Sequence, residues 1–356
     1  HTEIEHERQA ISRILERIQA RSIRTSQESR QESQPNRTGI GNNARVTGEV
    51  VRPIPILERE GKPIKIGPSD LEAAKAEIRR FHRELSNTEE EREIQHLLCR
   101  AAVKSTFILG VRVDQVALPE LINFITGTVQ SGRKAVIPYV NVHAVNLCQR
   151  QAWFRTFINR SDVVFCDGFG VKWAARFLHG VELQRFTPPD WFGDLAEACA
   201  RHGISIFFLG ARPEVIEKAA AVAAARYPGL TIAGVHHGYF DKAPASAENQ
   251  RLLAEINASR PGILLVGFGM PIQEKWILEN RDELSVSVAI PVGAFFDYLT
   301  GDVVRAPRWM TDHGLEWLGR LMIEPRRLWK RYVLGNPLFI GRVLLQKMGI
   351  RKYPEL

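Results

Sequence analysis

From about Phe107 onward, short β-branched or apolar runs alternate with helical segments, and this alternation constrains the fold more than any other feature of the chain. The runs are AVIPYVNV (135–142), VVFCD (163–167), ISIFFLG (204–210), LTIAGV (230–235), GILLVGFG (262–269) and VSVAIPVG (286–293). Between them, DWFGDLAEACARHG (190–203) predicts a helix with Asp190 as its cap and Gly203 as its stop. PEVIEKAAAVAAARYPG (213–229) predicts another, with Pro213 in its first turn. Continuous apolar strands separated by helices are the pattern of parallel strands buried on both faces. The expected class is α/β: a mostly parallel, Rossmann-like sheet flanked by helices.

In such a sheet, ligands collect beyond the carboxyl ends of the strands. Asn141 and His143 follow the first run, Asp167 and Gly168 the second, and Gly210 the third; GFGMPIQEKW (267–276) and GAFFDYLTG (293–301) follow the last two. A lone glycine or aspartate there is ordinary turn chemistry, but five strand ends delivering polar groups or glycines to one rim suggest a site. Neither Gly168/Gly170 nor Gly267/Gly269 continues as G-x-G-x-x-G, and no P-loop motif is present. FFLGARPEV places a strand, a glycine and a helix start together, a generic arrangement whose backbone amides can cradle an anion.

No metal is expected. Adjacent His236 and His237 in a strand would point to opposite faces, with no acidic or cysteine partner at ligand spacing, so a structural role is expected for them. Asp162 and Asp167 are too far apart for a D-x-D motif. Asp297 is expected to cap a turn. Cys99, Cys148, Cys166 and Cys199 show no C-x-x-C spacing and read as thiols of a reducing compartment.

The two ends of the chain have a different texture. Residues 1–104 are expected to form an N-terminal extension, helical at 1–18 and 69–98, with a disordered polar linker around 20–50. No run approaches the ~18–20 apolar residues of a spanning helix, and no signal peptide is visible in a chain that begins at His1. Residues 302–356 carry eleven Arg/Lys against five Asp/Glu, so +6 of the chain's +8 net charge lies there. Arg326, Arg327, Lys330 and Arg331 cluster beside Trp329 and Tyr332. That mixture suits an amphipathic appendage on anionic lipid; nucleic acid, which would use the same charges, is not expected because no recognition module accompanies them.

In this order, ILGVRVD (108–114), VNVHAVN (140–146), VVFCDGFGVKW (163–173), GYF (238–240), INASRPGILLVGFGMPIQEKWI (256–277), GAFFDYLTGDVVRAPRWM (293–310) and GLEWLGRLMIEPRRLWKRYVLGNP (314–337) resemble the WecG/TagA/CpsF glycosyltransferase family of bacterial surface-polysaccharide synthesis. The resemblance covers about 107–340 and implies a GT-E-like core at 105–301 with the basic appendage at 302–356 completing the active site. It implies a metal-independent inverting enzyme without a cofactor, moving a sugar from a UDP-sugar to a polyprenyl-diphosphate-linked saccharide. The enzyme would be cytoplasmic and peripheral on the inner face of the membrane, and a homo-oligomer is compatible with it.

Carried onto this chain, the resemblance makes Asp167 the general base. Tyr139, Asn141, Gly168, Arg185, Gly210 and Gln273 are expected around the substrate, and Arg308, Arg320, Arg327 and Arg331 at diphosphate groups. The chain departs from the family pattern twice, with Tyr139 where a small hydroxyl residue is usual and Pro188 in place of a glycine.

Inverting transfer needs a base for the acceptor hydroxyl and cations or dipoles for the leaving diphosphate, and the planar fork of arginine suits phosphate oxygens. Two other classes stay open. A nucleotide-dependent oxidoreductase would need the dinucleotide fingerprint that is missing. A non-catalytic membrane-associated assembly module is compatible with the two departures.

Overall fold

A computed structural model of the chain describes residues 103–353, apart from positions 305, 308, 309, 312 and 313. Nearly all of the expected N-terminal extension, and Arg308, therefore lie outside the described residues. The described chain opens with an antiparallel hairpin, β1 (Ser105–Ile108) and β2 (Val111–Asp114), followed by α1 (Leu118–Gln130). Within the motif ILGVRVD, Arg112 pairs with Asp114 at 3.0 Å and also donates to the carbonyls of Asn159, Ser161 and Asp162. Asp114 Oδ2 in turn accepts from the Val164 amide at 2.8 Å. This motif is a buried clamp on the segment that leads to Asp167.

Next come β3 (Ala135–Val136), β4 (Tyr139–Val140), α2 (Val142–Cys148), α3 (Ala152–Arg160), β5 (Phe165–Cys166), α4 (Phe169–His179) and α5 (Pro188–His202). They are followed by β6 (Ser205–Gly210), α6 (Pro213–Arg226), β7 (Thr231–His236), α7 (Ala247–Ser259), β8 (Ile263–Gly267), α8 (Ile272–Asn280), β9 (Val288–Pro291) and α9 (Phe295–Leu299). The central sheet is five-stranded, ordered β3-β9-β8-β6-β7, with every pairing parallel. β8 is buried along its whole length and β6 nearly so. The fold class is the one the apolar runs demand.

Two expectations are corrected in detail. AVIPYVNV is not one strand, and VVFCD does not join the central sheet. Pro138, having no N–H to continue a ladder, divides the first run. Its front half joins the central sheet beside β9, and its back half pairs in parallel with β5 as a separate two-stranded sheet. Asp190 is not the N-cap of its helix. Thr187 is, and Asp190 Oδ2, three residues on, accepts from the Thr187 amide at 2.9 Å and hydroxyl at 2.8 Å. Pro188 then stands at the first helical position, which it suits because its missing N–H is not needed there.

His236 and His237 also differ from expectation. The strand ends at His236, so the ring of His237 turns back to lie 4.6 Å from its neighbour's. Among the described residues no group of three or more His, Cys, Asp or Glu side chains is placed to share a metal ion.

Past α9 the basic segment forms α10 (Glu316–Ile323), α11 (Pro325–Trp329), a π-helical turn (Lys330–Leu334) and α12 (Gly335–Lys347). The last three follow one another without a gap. Pro337 cannot donate to the Val333 carbonyl, and the wider turn sits immediately before it. α12 docks on the main core: Phe339 and Val343 are fully buried within it, and Arg342 and the Gly335 carbonyl bond the Asn146 amide at 2.8 Å each. Among the described residues no helix is long and apolar enough to cross a membrane.

Candidate active site

Three backbone segments end side by side and set the site. β4 and β5 pair with Tyr139 opposite Phe165 and Val140 opposite Cys166, and the Asp167 amide extends the ladder by donating to the Val140 carbonyl at 3.0 Å. On the other side of β5, Arg185 forms a parallel bridge with Cys166, and the Phe186 amide donates to the Cys166 carbonyl at 3.1 Å. Backbone pairing alone therefore brings Asn141, Asp167 and Arg185 to neighbouring strand ends.

Gly168 permits the approach. A Cβ at that position would stand 2.8 Å from the Asn141 Cβ, closer than real side-chain contacts allow. Asn141 caps α2, its Oδ1 accepting from the Ala144 amide at 3.1 Å, so its Nδ2 is left to donate to Asp167 Oδ2 at 3.0 Å. The cap bond fixes which way the amide faces.

These residues open on a cavity of about 670 Å³. Part of its wall comes from the basic segment: Glu316, Arg320, Arg327 and Arg331 line it together with Tyr139, Asn141, Asp167, Gly168 and Arg185. Arg185 pairs with Glu316 at 3.3 Å across the cavity wall. Arg320 lies over the Tyr298 ring at 5.4 Å, and Arg331 over the Tyr332 ring at the same distance. Arg327, at the exposed rim, donates to Glu324 at 2.7 Å. The Nε atoms of Arg320 and Arg331 are buried without a hydrogen-bond partner among the described residues. A buried donor lacking its acceptor is costly, and a phosphate oxygen is an acceptor whose geometry a guanidinium fits.

The electrostatics suit a base. Burial pushes the Asp167 carboxyl up to about 6, Glu316 pushes the same way, and the Asn141 bond with Arg185 and Arg331 restrains the shift. A group at about 6 is ionised at neutral pH yet a stronger proton acceptor than an ordinary carboxylate. His143, also in the lining, is lowered to about 4 by burial and then by Arg331 and Arg150, so its ring is neutral. Tyr139 is held firmly protonated, chiefly by burial.

Not every expected residue reaches the cavity. Gln273 is fully buried behind the wall. Its Oε1 accepts from the amides of Gly269 at 3.2 Å and Gly293 at 3.0 Å, tying together two loops that line the cavity, and its Nε2 donates to Glu274 Oε1 at 2.8 Å. Gly210 is absent from the lining as well. A Cβ there would lie 2.4 Å from the Gly267 carbonyl oxygen, so the glycine serves the close approach of β6 to β8. Its neighbour Ala211 lines a second depression of about 640 Å³, where the Lys242 ammonium stands over the rings of Phe240 and Phe268 at 4.4 and 4.6 Å.

The asparagine, aspartate and arginines were visible in the sequence; Glu316 and Trp173 were not. The signal for Glu316 is an acid in an arginine-rich segment, and for Trp173, which also lines the cavity, a four-residue spacing with Phe169 and Phe177.

Residues 106–353 match the family described as Glycosyl transferase WecG/TagA/CpsF family. Among curated relatives, a Staphylococcus aureus (strain NCTC 8325 / PS 47) protein is 27% identical over 247 residues, 69% of this chain and 94% of its own length. A Bacillus subtilis (strain 168) protein is 31% identical over 223 residues, 62% of this chain and 84% of its own. Both are named N-acetylglucosaminyldiphosphoundecaprenol N-acetyl-beta-D-mannosaminyltransferase.

Proposed function

The chain belongs to the WecG/TagA/CpsF family and is a glycosyltransferase, and from that premise we propose that it moves an N-acetylhexosamine from a UDP-sugar to a polyprenyl-diphosphate-linked saccharide, inverting the anomeric centre. The observation that carries this reading is one cavity lined by the Asp167 carboxylate together with Arg185, Arg320, Arg327 and Arg331. The names of the relatives supply the acceptor class, a sugar on diphosphoundecaprenol.

In the proposed reaction Asp167 takes the proton of the acceptor hydroxyl as its oxygen forms a bond to the anomeric carbon. The bond from that carbon to UDP breaks, and its electron pair passes to the β-phosphate oxygen. The guanidinium groups meet the charge that develops there, as preorganised donors do in other transfers. Asn141 holds the carboxylate in place, and the neutral imidazole of His143 adds a donor. The basic segment would also bring the enzyme to the anionic inner face of the cell membrane, where the acceptor resides.

The test is incubation with a panel of UDP-sugars and N-acetylglucosaminyl-diphosphoundecaprenol, reading product by mass and anomeric configuration by NMR. A new glycosidic bond of inverted configuration, formed in the presence of EDTA, is the expected result. Retention of configuration removes Asp167 as base, and loss of activity in EDTA removes the metal-free reading.

A further inference from the structure

Helix α4 starts immediately after Asp167-Gly168 and carries Phe169, Trp173 and Phe177 at four-residue spacing, each with 37–43% of its surface exposed. One turn of separation puts all three on a single face. Trp173 and Phe177 stack with ring centroids 5.2 Å apart and planes within 10°. α12 runs beside α4 in the same direction. A Cβ on Gly170 would stand 3.8 Å from the Phe339 ring at the near end, and the Lys347 ammonium lies 5.5 Å above the Phe177 ring at the far end. α12 also exposes Ile340 (45%) and Leu344 (42%).

Two apolar rows, one on each helix, therefore run side by side. Both begin inside the cavity, since Phe169, Trp173 and Ile340 belong to its lining. They reach Phe177 and Lys347 about 10–12 Å further on, eight and seven residues of helical rise away. Lys347 also donates to the Leu178 carbonyl at 3.3 Å, which pins it across the end of the trough.

We propose that the trough between α4 and α12 carries the hydrocarbon chain of the acceptor lipid, leading it from the arginine-lined cavity to the bilayer. This rests on the acceptor class proposed above and adds where its lipid goes. The geometry favours a tethered chain over a general protein or bilayer contact. The rows start at the wall where the head group must sit, and a hydrocarbon joined to a diphosphate has to leave that cavity along an apolar surface. Lys347 at the outlet is placed to face interfacial phosphates, as lysine stems do at membrane surfaces.

The first measurement is photo-cross-linking of the full chain in detergent with a polyprenyl diphosphate bearing a benzophenone on its chain, mapped by mass spectrometry. Labelling within residues 173–178 and 340–348 is expected. Labelling confined to other exposed apolar residues of the basic segment, such as Met322, or no labelling, overturns the trough. This readout needs no turnover, so it stands apart from failure of the transferase reading.

The second measurement compares acceptors with long and short prenyl chains. Phe177→Ser and Leu344→Ser should raise KM for the long-chain acceptor by about tenfold while leaving the short-chain acceptor and the donor unaffected. Preference for the long chain that survives both substitutions overturns the proposal. So does a dimer in sedimentation that either substitution dissolves, because the face would then belong to a second copy.

Discussion

Asn141 donates from Nδ2 to Asp167 Oδ2 at 3.0 Å while its own Oδ1 accepts from the Ala144 amide at 3.1 Å. The helix cap and the orientation of the carboxylate thus share one side chain. Asn141→Ala should lower kcat about tenfold or more by freeing the carboxylate and cost about 1 kcal/mol of stability through the lost cap. It should also move the acid limb of the kcat/KM profile to higher pH, because the bond favours the charged form. A limb that moves to lower pH would show that the pair does not act this way.

With Asp167 at about 6, kcat/KM should fall roughly tenfold per pH unit below that value. Asp167→Asn should cost ~10²–10⁴-fold in kcat without lowering Tm. Steady-state kinetics across pH 4.5–8.5 and thermal denaturation check both, and wild-type turnover in the variant would remove the carboxylate from the chemistry.

Glu316 pairs with Arg185 and pushes Asp167 upward. Glu316→Gln should shift the acid limb to lower pH, since only the negative charge has gone. Asn141, Arg185 and Arg331, the other groups acting on Asp167, stay in place. The same variant frees the Arg185 guanidinium, so UDP should bind more tightly by calorimetry.

Glu274 is fully buried, with Oε1 bonded to Gln273 and Oε2 unpartnered among the described residues. Burial pushes it up to about 7 from the ordinary 4.5. A raised folded value means its contribution to stability is complete below about pH 4.5 and is lost as pH climbs to about 7. That loss is roughly 3 kcal/mol. Glu274→Gln should flatten this part of the pH–stability curve, as followed by urea denaturation at intervals from pH 4.5 to 8.

Much of this arrangement could be read in the chain. ISIFFLG and GILLVGFG became β6 and β8 because uninterrupted apolar runs have nowhere to go but the centre of a sheet. Asp167 before Gly168 pointed to the site, and the clash that a Cβ at 168 would make with Asn141 explains the glycine. Gln273 was placed at the substrate, yet it sits behind the wall bonding two loops. A polar residue in a motif is equally at home in a pocket or under one, and only packing distinguishes them. The break at Pro138 was visible as a proline, but which sheet each half would join depended on partners 153 and 26 residues away.

The sequence by itself determined an α/β chain with a carboxylate at a strand end and an excess of arginine near its carboxy terminus. Tertiary structure decided that Arg320 and Arg331 line one cavity with that carboxylate. Spacing along a helix states which residues share a face, but the rotation at which the helix docks is set by contacts remote in sequence, here Phe339 and Val343 in the core and Asn146 against Gly335 and Arg342.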